Sequence, residues 1–438
     1  MMWTLPVLPD TDTVGRVAIV EGYNTNTYQA QDNPNVPLIE RHPSPFTGVD
    51  AALEWRFHGR DADVTTLVVD GRANHYEPLQ HEYQSDDGAF NAALQSRITL
   101  APRTVLSLSE AASVTSFNAA HQIDGTMYAF DPTQVRSTYW LEDASGDITY
   151  QLSPNWRIAQ SLGVTISGTL QSAPLQLPSG QLTEHRGLDY IMPYVESDVS
   201  HDFGERTSGD LMLRYQYALQ EYVLDLSQNP PRNIGPEKQA SLLLLAGYSY
   251  RWSPEVATVL RLGGVIASAP PRDVDQRPIL APSGQGELYY TRPFFNVVGT
   301  AGYTWGTINP RIGSGPTATM SLLAVGVPEH RGDWQNLALL GRAQFAYSAL
   351  IAGADQSGNV QEAELGLYAV GFEARYALNR WLGVLAGYDL RYATFNPATS
   401  FGPEFFQQVF FVGLSGYFSN DRTILPLTTF TAPVVPPA

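Results

Sequence analysis

The ten residues Val49-Asp-Ala-Ala-Leu-Glu-Trp-Arg-Phe-His58 decide how the chain is read. On an extended strand Val49, Ala51, Leu53, Trp55 and Phe57 share one face, and Asp50, Ala52, Glu54, Arg56 and His58 share the other. Successive strand side chains point to opposite sides, so a period of two separates an apolar face from a charged one. The pattern continues in both directions. Segment 211–219 sets Leu211, Leu213, Tyr215, Tyr217 and Leu219 against Met212, Arg214, Gln216 and Ala218. Segment 381–392 sets Leu382, Val384, Ala386, Tyr388, Leu390 and Tyr392 against Leu385, Gly387, Asp389 and Arg391. Segments 90–100, 157–170, 295–305 and 336–347 repeat it, with Arg97, Arg157 and Arg342 on the polar side. Helical stripes are scarce, and no apolar run approaches the length of a membrane helix.

A soluble sandwich also alternates, because its polar side faces water. Strand length and ring placement separate the two. The runs here span about 10–14 residues, against a soluble mean of about 5–6 and a tilted membrane strand of about 9–11. Large rings gather at the ends of apolar faces: Tyr248, Tyr250 and Trp252; Tyr215 and Tyr217; Tyr388 and Tyr392; Tyr303 and Trp305. Aromatic girdles at two membrane interfaces have this distribution. Small residues on the polar faces (Gly163, Gly302, Gly387, Ser161, Thr165, Thr300) are expected to leave space for water inside.

Composition narrows the function. Among 438 residues, 43 acidic and 26 basic side chains give a formal charge of −17, which opposes binding to nucleic acid. Lys238 is the sole lysine, and there is no cysteine, which removes disulfides, thiolate catalysis and cysteine-held metals. Charged residues reach only 16%, below the usual quarter or so, while Gly 37, Pro 31 and Tyr 23 point to many turns and half-exposed rings. Met1-Met2-Trp3-Thr4-Leu5-Pro6 has no basic or apolar leader, so any secretory signal is expected to have been removed.

Tight turns recur at Leu100-Ala-Pro-Arg103, Leu152-Ser-Pro-Asn155, Trp252-Ser-Pro-Glu255 and Leu378-Asn-Arg-Trp381. Further short connections are expected near Gly59–Asp61, Phe203–Arg206, Arg292–Pro293 and Pro328–Asp333, making eight. Nine longer polar segments lie between them, near 26–44, 76–87, 118–135, 171–186, 223–236, 270–283, 307–315, 353–359 and 395–404. Eight turns and nine loops join eighteen strands, with both chain ends on the short-turn, periplasmic side. Lipid tolerates no open sheet edge, so the expected fold is all-β: a closed antiparallel transmembrane β-barrel over 13–418. It is flanked by an N-terminal periplasmic tail, 1–12, and a Pro-rich C-terminal tail, 419–438.

The last run, Phe406 to Phe418, puts Val412, Leu414 and Phe418 outward and ends on an aromatic. It resembles the C-terminal strand by which Gram-negative outer-membrane barrels are recognised for assembly, although twenty residues follow it here. The size, the asparagines of the first loop (Asn24, Asn26, Asn33, Asn35) and the Ser/Ala-Pro turns are similar to the beta-barrel porin 2 group. Some members of that group serve as outer-membrane pores for secreted polysaccharides beside a periplasmic export protein, so the resemblance implies a polysaccharide cargo and such a partner.

Eighteen strands are expected to enclose an aqueous channel. Its pore-lining candidates are Asp50, Glu54, Arg56, Asp70, Arg72, Arg97, Asp147, Arg157, Glu196, Asp198, Arg214, Arg251, Arg261, Arg342, Arg375, Asp389 and Arg391, with Asp202 and Asp210 on the same side. Turn positions set Asp50 opposite Arg72 and Glu196 opposite Arg214. Such pairs either neutralise a wet wall or set a transverse field at a constriction. With inward rings at Tyr194 and Tyr289, they also suit a sugar polymer, which meets guanidinium forks and aromatic faces. The apolar, proline-rich tails Leu5-Pro-Val-Leu-Pro9 and Ile424 to Ala438 read as simple ends or as segments docking on a periplasmic partner. The expected contacts are outer-membrane lipid and a hydrophilic solute or polysaccharide, with no cofactor, metal or catalytic residue. The eight histidines (His42, His58, His75, His81, His121, His185, His201, His330) are scattered; His75 and His201 alone lie where a barrel hydrolase would need one, and neither has a partner in sequence. Asp86-Asp87-Gly88 and Asp61-Ala-Asp63 are incomplete as calcium loops.

Overall fold

The computed structural model describes residues 11–25, 43–59, 63–77, 86–116, 136–173, 176–177, 180–181, 187–221, 224–225, 232–233, 236–268, 278–306, 315–326, 336–354, 360–396 and 405–419. Both proposed tails lie outside this set apart from Thr11, Asp12 and Ser419. Eighteen long strands form one sheet. They are β1 (Thr11–Asn24), β2 (Ser44–His58), β3 (Val64–Tyr76), β4 (Asp86–Ala101), β5 (Thr104–Ser116), β6 (Arg136–Ser153), β7 (Trp156–Ala173), β8 (Gly187–Gly204) and β9 (Thr207–Gln220). The second half continues with β10 (Glu237–Arg251), β11 (Val256–Ala267), β12 (Ile279–Arg292), β13 (Phe295–Gly306), β14 (Gly315–Gly326), β15 (Leu337–Ala354), β16 (Val360–Ala377), β17 (Leu382–Asn396) and β18 (Phe405–Ser419). Every strand pairs antiparallel with its sequence neighbours, and β1 pairs with β18 from Val14↔Ser419 to Asn24↔Val409. The sheet is therefore a closed up-and-down barrel, which leaves no edge to satisfy in lipid.

Strands of 12 to 18 residues exceed the expected length, because many run past the hydrocarbon thickness into the rims. β1 begins at Thr11, two residues before the expected start of the barrel. Two residues or so suffice at Ala101–Thr104, Ser153–Trp156, Gly204–Thr207 and Arg292–Phe295. The connection expected to be short near Pro328–Asp333 takes ten residues, 327–336, whereas the one between β15 and β16 on the long-loop side takes five, 355–359. The asymmetry of the two ends thus holds in general and not at every connection.

Outward positions form the apolar belt. Val17, Ile19, Leu162, Leu211, Leu244, Leu262, Met320, Val412 and Leu414 all lie open on the outer surface. The rings named at the ends of the apolar faces also face out, and at the short-turn end His201 packs between Trp156 (4.4 Å between centroids) and Phe203 (4.9 Å). That placement makes His201 part of an interfacial girdle. His75 lies at the opposite rim with its Nδ1 2.6 Å from Asp86, a partner the sequence did not reveal.

Carboxylates interrupt the belt on β5 and β6. Glu110 is directly opposite Ala144, and Glu142 directly opposite Ala112, so the two are diagonal neighbours on the outer face of β5 and β6. Glu110 lies six residues beyond the start of β5, roughly 15 Å along the membrane normal for a strand tilted about 40°. That depth is inside the apolar belt. Replacing both glutamates by leucine is therefore expected to raise stability in vesicles by about 1–2 kcal/mol, since acidic residues cost somewhat less there than the roughly 2–4 kcal/mol of a basic one. A urea titration of the double variant showing a loss instead would place these side chains in a polar contact.

Candidate functional site: the lumen

Cross-strand register shows which residues share the inner face, because directly paired residues point the same way. From Arg16 and Ala18 on β1 the row passes to Asp50 and Ala52, then Arg72 and Asp70, and continues around to Ser415 and Tyr417 on β18. All seventeen charged candidates lie on this inner side of their strands. So do Asp202, Asp210, Tyr194 and Tyr289. Their surroundings divide the lumen into three sectors.

The first sector is the seam where the chain ends meet, and it is packed. Arg16, Asp50, Glu54, Arg72, Glu373, Arg375 and Asp389 are all buried. So are the inward apolar residues Ala18, Val20, Phe46, Tyr76, Leu385, Val409 and Phe411, which form one cluster. Arg16 on β1 holds Asp50 of β2 at 2.7 Å and also lies 3.9 Å from Glu373 on β16, across two intervening strands. Glu373 and Glu54 are held by their strand neighbours Arg375 and Arg56. Asp50 does face Arg72 in register, but their charges are used elsewhere. Arg72 donates to Asn74 (2.9 Å), with its guanidinium 5.6 Å from the Phe46 ring and 5.1 Å from the Phe411 ring. A planar guanidinium stacks well on rings, so Arg72 spans the aromatic cluster and Asp50 is left to Arg16.

Glycines here act as seats more than as water-filled space. Gly163 is directly opposite Tyr194, and Gly387 directly opposite Phe411. A Cβ on Gly163 would lie 2.4 Å from Tyr194 Cζ, and one on Gly387 2.2 Å from Phe411 Cζ. The expectation that these two positions leave room for water is thus corrected, because a neighbouring ring covers the bare backbone. Two other glycines lie beneath ion pairs. Arg342 and Asp389 join at 2.6 Å over Gly371, which is paired with both in the strand between them. Arg261 and Asp210 join at 2.7 Å over Gly247 in the same arrangement.

The second sector is charged and lies on β7 to β12. Arg214 stacks on Tyr194, 3.9 Å from its centroid, with Glu196 at 3.8 Å. Arg261 reaches Asp210 and also Glu287 at 3.4 Å, whose carboxylate accepts from the Tyr289 hydroxyl at 2.5 Å. Arg157 lies 3.5 Å from Asp202. On the turn below, the Ser253 hydroxyl donates to Glu255 (2.7 Å), and this bond, with Glu255's own backbone N–H, holds that exposed carboxyl below the ordinary glutamate range.

The third sector is open and lined mainly by hydroxyl and amide groups beside Arg97, Asp143 and Asp147. Gln95, Ser109 and Ala111 face inward and are exposed, as are Thr300 and Thr319 across the barrel. Register places Gln95, Ser109, Ser145 and Gly163 in one row, and Arg97, Ser107, Asp147 and Ser161 in the next. Asp147 accepts from Thr149 and Ser161, both at 2.9 Å, and Asp143 from Thr165 at 2.7 Å. The inward residues Arg16, Asp143, Glu287 and Glu373 escaped the sequence reading, although each shares strand parity with an inward charge or ring: Glu287 with Tyr289, Glu373 with Arg375. Among the described residues no group of three His, Asp or Glu side chains could hold a metal.

A closed eighteen-stranded barrel with an apolar outer belt, aromatic interfaces and a polar interior is a transmembrane β-barrel of the Gram-negative outer membrane. Three solved structures align along 93–95% of this chain. Outer membrane protein OpdK from Pseudomonas aeruginosa matches at 11% identity over 93% of this chain and 99% of its own, with a TM-score of 0.37. A BenF-like porin from Pseudomonas fluorescens Pf-5 matches at 11% over 94% and 99%, with 0.41. The siderophore receptor PirA from Acinetobacter baumannii matches at 7% over 95% and 81%, with 0.42. No protein-family model and no curated protein matches the chain.

Proposed function

We propose that the protein is an outer-membrane channel for hydrophilic cargo, acting without catalytic residues, and that the cargo is a secreted polysaccharide delivered with the help of a periplasmic export protein. The observation that carries this reading is the open sector of the lumen. Hydroxyl and amide groups of Gln95, Ser107, Ser109, Ser145, Thr300 and Thr319 line it, and it borders the stacked Tyr194–Arg214 pair. Such a wall exchanges hydrogen bonds with a sugar chain as readily as water does, and a ring offers a face to slide on.

Purified protein in planar bilayers should give stable single-channel currents that neutral oligosaccharides reduce in proportion to their length, and deletion of the gene should abolish an extracellular polysaccharide. Currents without loss of any polysaccharide would make the protein a passive porin for small polar solutes. Absence of current, and of liposome swelling with sugars of every size, would sink the channel reading in favour of a plugged receptor or structural barrel.

A further inference from the structure

The arginines of the lumen separate by what answers their charge. Arg16, Arg56, Arg157, Arg214, Arg261, Arg342 and Arg375 each lie within 4 Å of a carboxylate. Arg72 is held by Asn74 and two rings. The side chain of Arg251 meets no carboxylate, ring or hydrogen-bond acceptor among the described residues, while its backbone N–H donates to the Arg206 carbonyl. Arg97 is likewise unanswered, but it stands exposed on the open wall. Arg251 instead lines a cavity of about 280 Å³ at the short-turn end of the barrel. Arg157, Asp202, Ser208, Ser249, Tyr289 and Thr291 line the same cavity and face inward with it.

We propose that this periplasmic vestibule binds one carboxylate-bearing sugar ring, a hexuronate unit of the cargo, with Arg251 as the charge partner of the carboxylate. The assignment rests on the reading of the barrel as a channel, and names the chemistry of what enters it. A guanidinium fork matches a carboxylate with two parallel N–H donors. The cavity is just under the roughly 300–1,000 Å³ of drug-sized sites, which is the scale of a single sugar ring. Ser208, Ser249 and Thr291 offer hydroxyls for the ring substituents, and Tyr289 offers its ring face, since its own hydroxyl is committed to Glu287. Asp202 answers Arg157 and not Arg251. The turns contribute Glu205, Arg206 and Glu255, the last held by Ser253, so no described acid is spent on Arg251. Further along the lumen Asp198, Asp210 and Glu287 gather around Arg261, so an incoming carboxylate is answered better at Arg251 than there. A uronate chain entering from the periplasm would pause at Arg251 first.

The test is an isothermal titration of the full-length, detergent-solubilised barrel with triglucuronate and, separately, neutral maltotriose at low salt. The wild type should bind one triglucuronate per chain, Arg251→Gln about ten-fold or more weaker, and Arg251→Lys, which keeps the charge but loses the fork, a few-fold weaker. Arg97→Gln should bind like the wild type, and added salt should weaken the interaction. Maltotriose should not distinguish Arg251→Gln from wild type. Equal triglucuronate affinity in wild type and both Arg251 variants, no saturable binding by wild type, or an equal loss in Arg97→Gln would overturn the assignment. Folding of each variant is checked by its heat-modifiable gel mobility, and Arg251→Lys serves if Arg251→Gln does not assemble. Bilayer currents measured in parallel keep the two readings apart: a non-conducting wild type defeats the channel, while the titration alone decides the vestibule.

Discussion

Asp50→Ala should lower the unfolding free energy by about 3 kcal/mol, the usual loss when one member of a buried ion pair is removed and the other is left without compensation. The residue is almost fully buried, and so is Arg16, which holds it at 2.7 Å and among the described residues has only Glu373, at 3.9 Å, as a second carboxylate. Glu373 is already engaged by Arg375, so it cannot replace Asp50 fully. A urea titration in lipid vesicles followed by tryptophan fluorescence reads the loss directly. The double change Asp50→Leu with Arg16→Met should recover most of it, because well-packed apolar groups often substitute for a buried pair at no net cost. A loss under about 0.5 kcal/mol for Asp50→Ala, the level of a surface pair, would mean that water reaches the seam.

The second large effect is expected at a residue with no side chain. Gly371→Leu must push apart Arg342 and Asp389, because even a Cβ there would lie 2.4 Å from Arg342 Nε and from Asp389 Oδ1. Overpacking and the separation of buried Asp389 from partly buried Arg342 together are expected to cost about 2–4 kcal/mol. Gly247→Leu should behave alike beneath Arg261 and Asp210. Gly286 is the control: its nearest neighbour stands at 4.0 Å, and Gly286→Ala should change stability by no more than about 0.5 kcal/mol. Equal losses at Gly371 and Gly286 would show that lost backbone freedom, and not the ion pair above, is what the substitution disturbs.

Much of the architecture was legible because lipid outside and water inside make the sharpest contrast a strand can carry. Each long run of alternation, from Val49 to His58 or from Leu382 to Tyr392, fixed both a strand and its inward face, and the turns fixed the register of Asp50 with Arg72 and Glu196 with Arg214. What remained hidden depends on curvature. Register says which residues are adjacent along the wall, but the approach of Arg16 to Glu373 joins strands separated by two others and follows only from how the barrel bends at its closing seam. Glu110 and Glu142 went unremarked for a related reason: each follows the outward parity of its strand, and only the finished wall shows the two lying diagonally together in the belt. Gly163 and Gly387 read as open space because a glycine carries no sign of the ring that its cross-strand partner will fold over it.

The lone lysine gives the molecule a built-in compass. Lys238 is the second residue of β10, exposed beside the long-loop rim, while every other cationic side chain is an arginine. An amine-reactive dye that cannot cross the envelope meets one lysine ε-amine in this sequence, and β10 sets it beside the long-loop rim. Staining of intact cells at Lys238 alone would tell directly which mouth opens to the outside world, with no engineered tag and no cysteine to introduce.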